Sequence, residues 1–253
     1  MEHVTSADGT RIAVQHSGHG PALILVVGAF CDRTSTASLT AGLTDHFTVY
    51  EYDRRGRGDS GNQAGYAIER EIEDLTAVID STGGPAAVFG HSSGGALALE
   101  TAARVHGVSR LVVYEPPYYP GGPTDQLADE LAEMSATGRE SDAAERFLAL
   151  TGTPPQVLDQ MKEGPYWAHM QAYALTLSYE LRLGNNGAVP RDRLGHITAP
   201  TLALAGGQSG EPARQVAEAI ASAVPNGQAR VLDGQGHGVA DEVLIPLLID
   251  FLA

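Results

Sequence analysis

The stretch Val88-Phe89-Gly90-His91-Ser92-Ser93-Gly94-Gly95 sets one serine between glycines where an apolar run gives way to helix-forming residues. Just upstream, "AAVFG" has the length and apolar continuity of a strand buried on both faces. Just downstream, "GALALETAARVHG" reads as a helix that Gly107 ends. Gly90-x-Ser92-x-Gly94 at such a junction suits a sharp turn that projects a hydroxyl. Glycines two before and two after keep strand and helix from colliding, and the helix N-terminus favours developing negative charge. The same residues also fit a plain strand-to-helix turn, so the rest of the chain has to choose between the two readings.

Outward from this turn, apolar runs alternate with amphipathic stretches. "TRIAVQHSG" alternates like an exposed strand, "ALILVVGAF" is a buried strand, and "FTVYEYDRRGRG" is a strand ending in a Gly-rich turn. In "AIEREIEDLTAVIDSTGG", Ile68, Ile72, Leu75, Val78 and Ile79 fall at helical spacing, and Gly83-Gly84 stops the helix. "RLVVYE" is another buried strand, cut off by Pro116-Pro117. From Tyr118 to Pro190 the rhythm breaks: "DQLADELAEM", "SDAAERFLAL" and "WAHMQAYALTLSYELRL" are helix-like, with no convincing strand. Alternation resumes with "PTLALAGG", "PARQVAEAIASAV", "ARVLDG" and "DEVLIPLLIDFLA". Alternating strands and helices predict a mostly parallel central sheet with helices on both faces, and residues 118–190 form a helical insertion over one edge.

Composition excludes several classes. Lys plus Arg is 16 against 31 Asp plus Glu, a net charge of −15 that argues against a nucleic-acid partner. Lys162 is the sole lysine, a bias that hints at a GC-rich bacterial source. The apolar runs are too short for a membrane span, and the start "MEHVTSADGTR" has no secretion-signal pattern, so a cytoplasmic location is expected. The single cysteine, Cys31, reads as a small buried residue rather than a reactive thiol. No metal signature is present and no phosphate loop, because "GGPAAVFGHSSGG" lacks the lysine. "DRRGRG" is a brief basic patch read as a structural turn.

Three stretches together resemble the α/β-hydrolase superfamily, in its capped, serine-nucleophile, esterase/lipase-like form: "GHSSGG", "YDRRGRGDS", similar to the family's D-x-R-G-x-G-x-S turn, and "LDGQGHGV", similar to its late-histidine loop. The resemblance covers nearly the whole chain. It implies a core of residues 1–117 and 191–253, with residues 118–190 as a helical cap. It also implies Ser92 as nucleophile and His237 as base, since a serine hydroxyl is a poor nucleophile until a base takes its proton. Of the nine histidines only His237 has this position. His91 is expected to point away and pack, and His169 to have a surface or core role.

The base needs a partner at its other nitrogen. Most of the family places an aspartate just after the strand written here "PTLALAGG", where this chain has Ser209. Two replacements are open, Glu115 at the end of the preceding strand and, as the alternative acid, Glu211; a third possibility is no carboxylate at all. Asp233 and Asp241 are accounted for by turn and capping roles. The oxyanion hole falls to the backbone N–H of Ser93 and of Ala29, the latter in Val27-Gly28-Ala29-Phe30. Phe30, Tyr118 and Trp167 are expected in the substrate pocket.

The resemblance thus implies a cofactor-free serine hydrolase, monomer or homodimer. Its substrate would be a small, mostly apolar molecule with an ester or related carbonyl, processed through an acyl-enzyme. The altered acid position keeps a non-hydrolytic tailoring enzyme (elimination, lyase or cyclisation) open, and the scaffold also hosts ligand-binding receptors.

Overall fold

The computed structural model describes residues 1–63, 65–122 and 125–253. Its centre is an eight-stranded sheet in the order β1-β2-β4-β3-β5-β6-β7-β8. The strands are β1 (Glu2–Thr5), β2 (Arg11–Gly18), β3 (Ala22–Val26), β4 (Thr48–Tyr52), β5 (Ala86–His91), β6 (Val108–Tyr114), β7 (Thr201–Gly206) and β8 (Gly227–Leu232). β2 runs antiparallel to both β1 and β4, and every other pairing is parallel. Helices α1 (Ala37–Leu43), α2 (Ile68–Ser81) and α3 (Ser93–Ala102) lie within the first half. Between β6 and β7 come α4 (Asp125–Ala136), α5 (Glu140–Leu150), α6 (Pro155–Glu163), α7 (Trp167–Ala172), α8 (Leu177–Leu183) and the single turn α9 (Arg191–Leu194). α10 (Gly210–Ala223) and α11 (Asp241–Leu252) alternate with the last strands.

The continuous apolar runs form strands because both sheet faces are covered. Side chains alternate across a strand, so each run supplies two cores at once. Ile24, Val26, Val88, Leu111, Val113 and Ala203 join Leu75, Leu97 and Ile220 of α2, α3 and α10. Their neighbours Leu23, Leu25, Ala87, Phe89, Val112 and Leu202 join Leu43 of α1 and Leu248 of α11 on the other face.

Some details depart from the sequence reading. β2 is only partly exposed: Arg11 and residues 16–18 face solvent, but Ile12 and Val14 join the core with Ile72 and Leu75 of α2. The helix expected to end at Gly107 ends at Ala102. Gly107 serves packing instead, since a Cβ there would come within 2.6 Å of Ile79 Cγ2. "WAHMQAYALTLSYELRL" is two helices, α7 and α8, separated by a 3-10 turn at Ala174–Thr176. There the Thr176 hydroxyl donates to Tyr173 O at 2.9 Å, and such local bonding competes with a continuous helix. Among the described residues no strand occurs between β6 and β7, and no helix is long and apolar enough to cross a membrane.

The turn after β4 is not a surface patch. The side chains of Arg54, Arg55 and Arg57 are each only 1% exposed. Arg55 forms a bidentate pair with Asp74 of α2, at 2.7 Å from both Nε and Nη2, and reaches Asp8 at 3.0 Å. Removing one partner of a buried pair strands the other charge without solvent. Asp74→Ala should therefore cost about 3–5 kcal/mol of stability, read from the midpoint of urea unfolding; a change within error would show that the pair is not holding α2 to this turn.

Candidate active site

Ser92 sits between β5 and α3 at φ 55°, ψ −127°, a conformation that L side chains rarely adopt. The surroundings hold it there. Its N–H donates to Tyr114 O at 2.8 Å, and its carbonyl accepts from Gly95 N at 2.9 Å and Ala96 N at 3.2 Å. Gly94 is required by close approach: a Cβ there would lie 2.2 Å from Val26 O. Because the Ser92 carbonyl is turned into the first turn of α3, the N–H of Ser93, in the same planar peptide, faces the opposite way.

His237 lies on the loop between β8 and α11. Its Nδ1 is 2.7 Å from Oε2 of Glu115. Glu115 follows β6 at φ 47°, and its side chain is 1% exposed against 56% for His237. The other carboxylate oxygen, Oε1, accepts the N–H of Gly206 at 2.8 Å. Burial alone would push the Glu115 carboxyl up, but hydrogen bonds from His237, from the Ser209 side chain and from Gly206 outweigh it, so Glu115 is held below the ordinary carboxylate value. A carboxylate at Nδ1 fixes the ring so that Nε2 is the nitrogen available for proton transfer. No direct Ser92–His237 hydrogen bond is present among the described residues; catalytic hydrogen bonds often tighten only when substrate is bound.

The histidine loop is anchored by two side chains that the sequence reading did not assign to it. The Tyr114 hydroxyl donates to Gly236 O. His91 Nε2 lies 2.9 Å from the next carbonyl, that of His237 itself. The His91 ring packs between Tyr114 (centroids 5.8 Å apart) and His237 (4.8 Å). His91 does pack, as expected, but its packing partner is the candidate base. Burial first, and the neighbouring His237 second, push His91 down to about 4, so it stays neutral and donates from Nε2.

Glu211 lies on the exposed first turn of α10, bonded to Arg214 at 2.5 Å and Gln215 at 2.9 Å. The structure brings Glu115, not Glu211, to His237. Ala29 and Phe30 follow β3, with Phe30 at φ 60°. Phe30 meets Phe147 edge-on with centroids 5.5 Å apart, and it packs on both apolar clusters of the helical segment, the second of which contains Trp167. Trp167 is 7% exposed and donates to Ser141 at 3.1 Å. Tyr118 lies apart from these, in the core cluster with Leu183 and Leu194. His169 Nε2 is 2.9 Å from Phe30 O, and Tyr173 donates to Asp32 at 2.8 Å, so α7 and the residue after it grip the loop that follows β3. Cys31 is half-buried, and burial pushes its thiol up, away from the reactive thiolate.

Under these loops lies a charge cluster. Arg54 pairs bidentately with Glu71, at 2.7 and 2.9 Å, and also reaches Glu180 of α8 at 3.2 Å. Arg57 pairs with the other oxygen of Glu180. All four side chains are at most 2% exposed. One signal for it, and for the Arg55–Asp74 pair, was present in the sequence: Glu71 and Asp74 sit at helical spacing among the apolar residues of α2, on the buried face.

The alpha/beta hydrolase family matches residues 23–243 of the chain. An alpha/beta hydrolase from Sphaerobacter thermophilus has a solved structure that is 42% identical, covers 100% of both chains and superposes with a TM-score of 0.90. The esterase of Exiguobacterium antarcticum is 21% identical over 99% of this chain and 98% of its own, with a TM-score of 0.75, a likeness of fold. The uncharacterized hydrolase YraK of Bacillus subtilis is 36% identical over 100 residues, 38% of this chain. That match spans only 37% of YraK's own length.

The anchoring of His91 has a pH consequence. Its folded value, about 4, lies below the ordinary histidine value of about 6.5. The unfolded chain therefore binds this proton first, and stability falls as the pH drops from about 6.5 to 4. Glu115 adds to the loss only below the ordinary carboxylate value of about 4.3. His91→Gln should flatten the stability curve between about pH 6.5 and 4.5, measured by urea unfolding at stepped pH; an unchanged slope would refute this role.

Proposed function

The chain belongs to the alpha/beta hydrolase family, and on that footing we propose that it is a serine-dependent hydrolase of an ester or related carbonyl compound. Family membership and the hydrolase and esterase names among its relatives support an enzyme of this broad kind. The finer reading rests above all on one contact, the 2.7 Å bond between His237 Nδ1 and the buried Glu115. A buried carboxylate fixing an imidazole whose ring lies 4.8 Å from that of His91, the residue before the positive-φ Ser92, suits nucleophilic acyl transfer.

In this reading Ser92 Oγ attacks the substrate carbonyl while His237 Nε2 takes its proton. The C=O π electrons move to oxygen, and that oxyanion accepts hydrogen bonds from the N–H groups of Ser93 and Ala29. On collapse, the bond to the leaving group breaks and His237 returns the proton to it. Water, deprotonated by His237, then adds to the acyl carbonyl; on collapse the bond to Ser92 Oγ breaks, His237 returns the proton to Oγ, and the carboxylic acid leaves. Glu115 holds Nδ1 and offsets the charge of the imidazolium.

Ser209 supports the assignment of the acid. It occupies the place where the family's usual aspartate would stand, and its hydroxyl is one of the groups that hold the Glu115 carboxyl below the ordinary value. The cluster of Phe147, Leu131, Leu177 and Leu181 against Ala29 and Phe30 supports residues 118–190 as a cap with an apolar underside, and hence a mostly apolar acyl or alcohol group.

Ser92→Ala should abolish both turnover of 4-nitrophenyl esters and covalent labelling by a fluorophosphonate, read by intact-protein mass; persistent labelling would refute Ser92 as nucleophile. Glu115→Gln should lower kcat by roughly 10³–10⁴ in a protein that still melts cooperatively, whereas Glu211→Gln should leave kcat at the wild-type level. The reverse pattern in steady-state kinetics would move the acid to Glu211.

A further inference from the structure

The cluster beneath the strand ends does more than satisfy its own charges. Arg57 Nη1 donates to Gly28 O at 2.7 Å and to Cys31 O at 3.2 Å. Arg54 Nη1 donates to Val27 O at 3.2 Å and lies 3.3 Å from the Ser93 hydroxyl. Glu71 and Glu180 cannot take up all the N–H donors of two guanidinium groups, and the spare donors fall on the segment after β3. The two guanidinium groups thus reach both sides of the proposed oxyanion hole, through backbone carbonyls of the segment after β3 and through the Ser93 hydroxyl at the start of α3.

The geometry of one peptide carries the argument. In a trans peptide the carbonyl and the N–H point in opposite directions. With the Gly28 carbonyl held on the Arg57 guanidinium, the N–H of Ala29 is directed to the far side. That peptide lies beside the nucleophile: a Cβ on Gly28 would be 2.9 Å from Ser92 Cβ and 3.5 Å from Ser92 Oγ. A charged donor on the carbonyl also polarises the amide, making its N–H a stronger donor.

Arg57 does not hold this position alone. Its Nη2 is fixed by Glu180, which α8 contributes and which also touches Arg54. The loop it grips contains Phe30 at φ 60°, a conformation that persists only where neighbours impose it. We propose that Arg57, oriented by Glu180 of the helical segment, is a positioning residue that aims the Gly28–Ala29 peptide as an oxyanion donor, so that the segment between β6 and β7 completes the hydrolytic site. The proposal rests on the serine-hydrolase reading given above. It assigns Arg57 and Glu180 no contact with substrate.

The consequence is specific. An oxyanion donor acts on the transition state far more than on bound substrate, so disturbing its aim lowers kcat and leaves KM nearly unchanged. The experiment compares wild type, Ser92→Ala, Glu180→Gln and the double variant Arg57→Met/Glu180→Met. The double variant removes both charges rather than stranding one, so it keeps the test open if the single change does not fold. Each is assayed with 4-nitrophenyl butyrate and a fluorophosphonate, well below its melting temperature. Glu180→Gln and the Arg57→Met/Glu180→Met double variant, where folded, should each lose roughly 10- to 100-fold in kcat, less than the 10²–10³ seen when a donor is removed outright, with KM within about threefold and fluorophosphonate labelling of Ser92 retained; Ser92→Ala should lose turnover and labelling altogether. Wild-type kcat in a folded variant, or a loss carried by KM alone, would overturn the proposal. A wild-type protein inert to both reagents, or labelling that survives in Ser92→Ala, would instead overturn the hydrolase reading beneath it.

Discussion

Two buried carboxylates facing two buried guanidinium groups set the constraint around which the rest of the molecule is arranged. Glu71 comes from α2, Arg54 and Arg57 from the turn after β4, and Glu180 from α8. Four charges with at most 2% of each side chain exposed are tolerable only in a closed set with matched signs. That requirement brings together parts of the chain more than a hundred residues apart. The spare donors of the cluster then land on Val27 O, Gly28 O and Cys31 O, so the same constraint that fastens the helical segment to the sheet also shapes the loop after β3.

The placement of Glu115 follows from sheet geometry. β6 and β7 are parallel neighbours with Tyr114 paired to Leu204, so their C-terminal ends open at the same level. A carboxylate leaving β6 therefore reaches the same imidazole that one leaving β7 would reach. The departure from the family pattern at Ser209 is absorbed by the adjacent strand, and the N–H of Gly206 at the end of β7 donates to the displaced carboxylate. Keeping that group ionised in a buried site takes several donors, since burial by itself favours the neutral acid.

Rigidity is concentrated where the chain changes direction. Ser92, Phe30 and Glu115 are all non-glycine residues with positive φ, and each sits just beyond a strand of the parallel core. Such conformations are costly unless neighbours impose them. Here the neighbours are identifiable: Tyr114 O for Ser92, His169 for Phe30, and Leu204 O with Gly206 N for Glu115. His91 and Tyr114 do the same for the histidine loop through two consecutive carbonyls.

Local pattern was enough to read the parallel sheet, the turn at Ser92 and the loop at His237, because each is written in residues adjacent along the chain. A short apolar run that alternates with helical stretches reads as a buried strand, and a serine flanked by glycines between strand and helix has few other conformations. The sequence reading set Glu115 ahead of Glu211, but the contact of Glu115 with His237, and of Glu211 with Arg214 on the surface, depends on how distant side chains meet. "DRRGRG" read as a basic turn because its partners, Glu71 and Glu180, lie 17 and 123–126 residues away. His91 read as mere packing because the loop it supports lies 146 residues further on. Periodicity reports which face of an element is buried, whereas the pairing of polar groups is settled only when distant elements meet and every buried charge and carbonyl must find a partner.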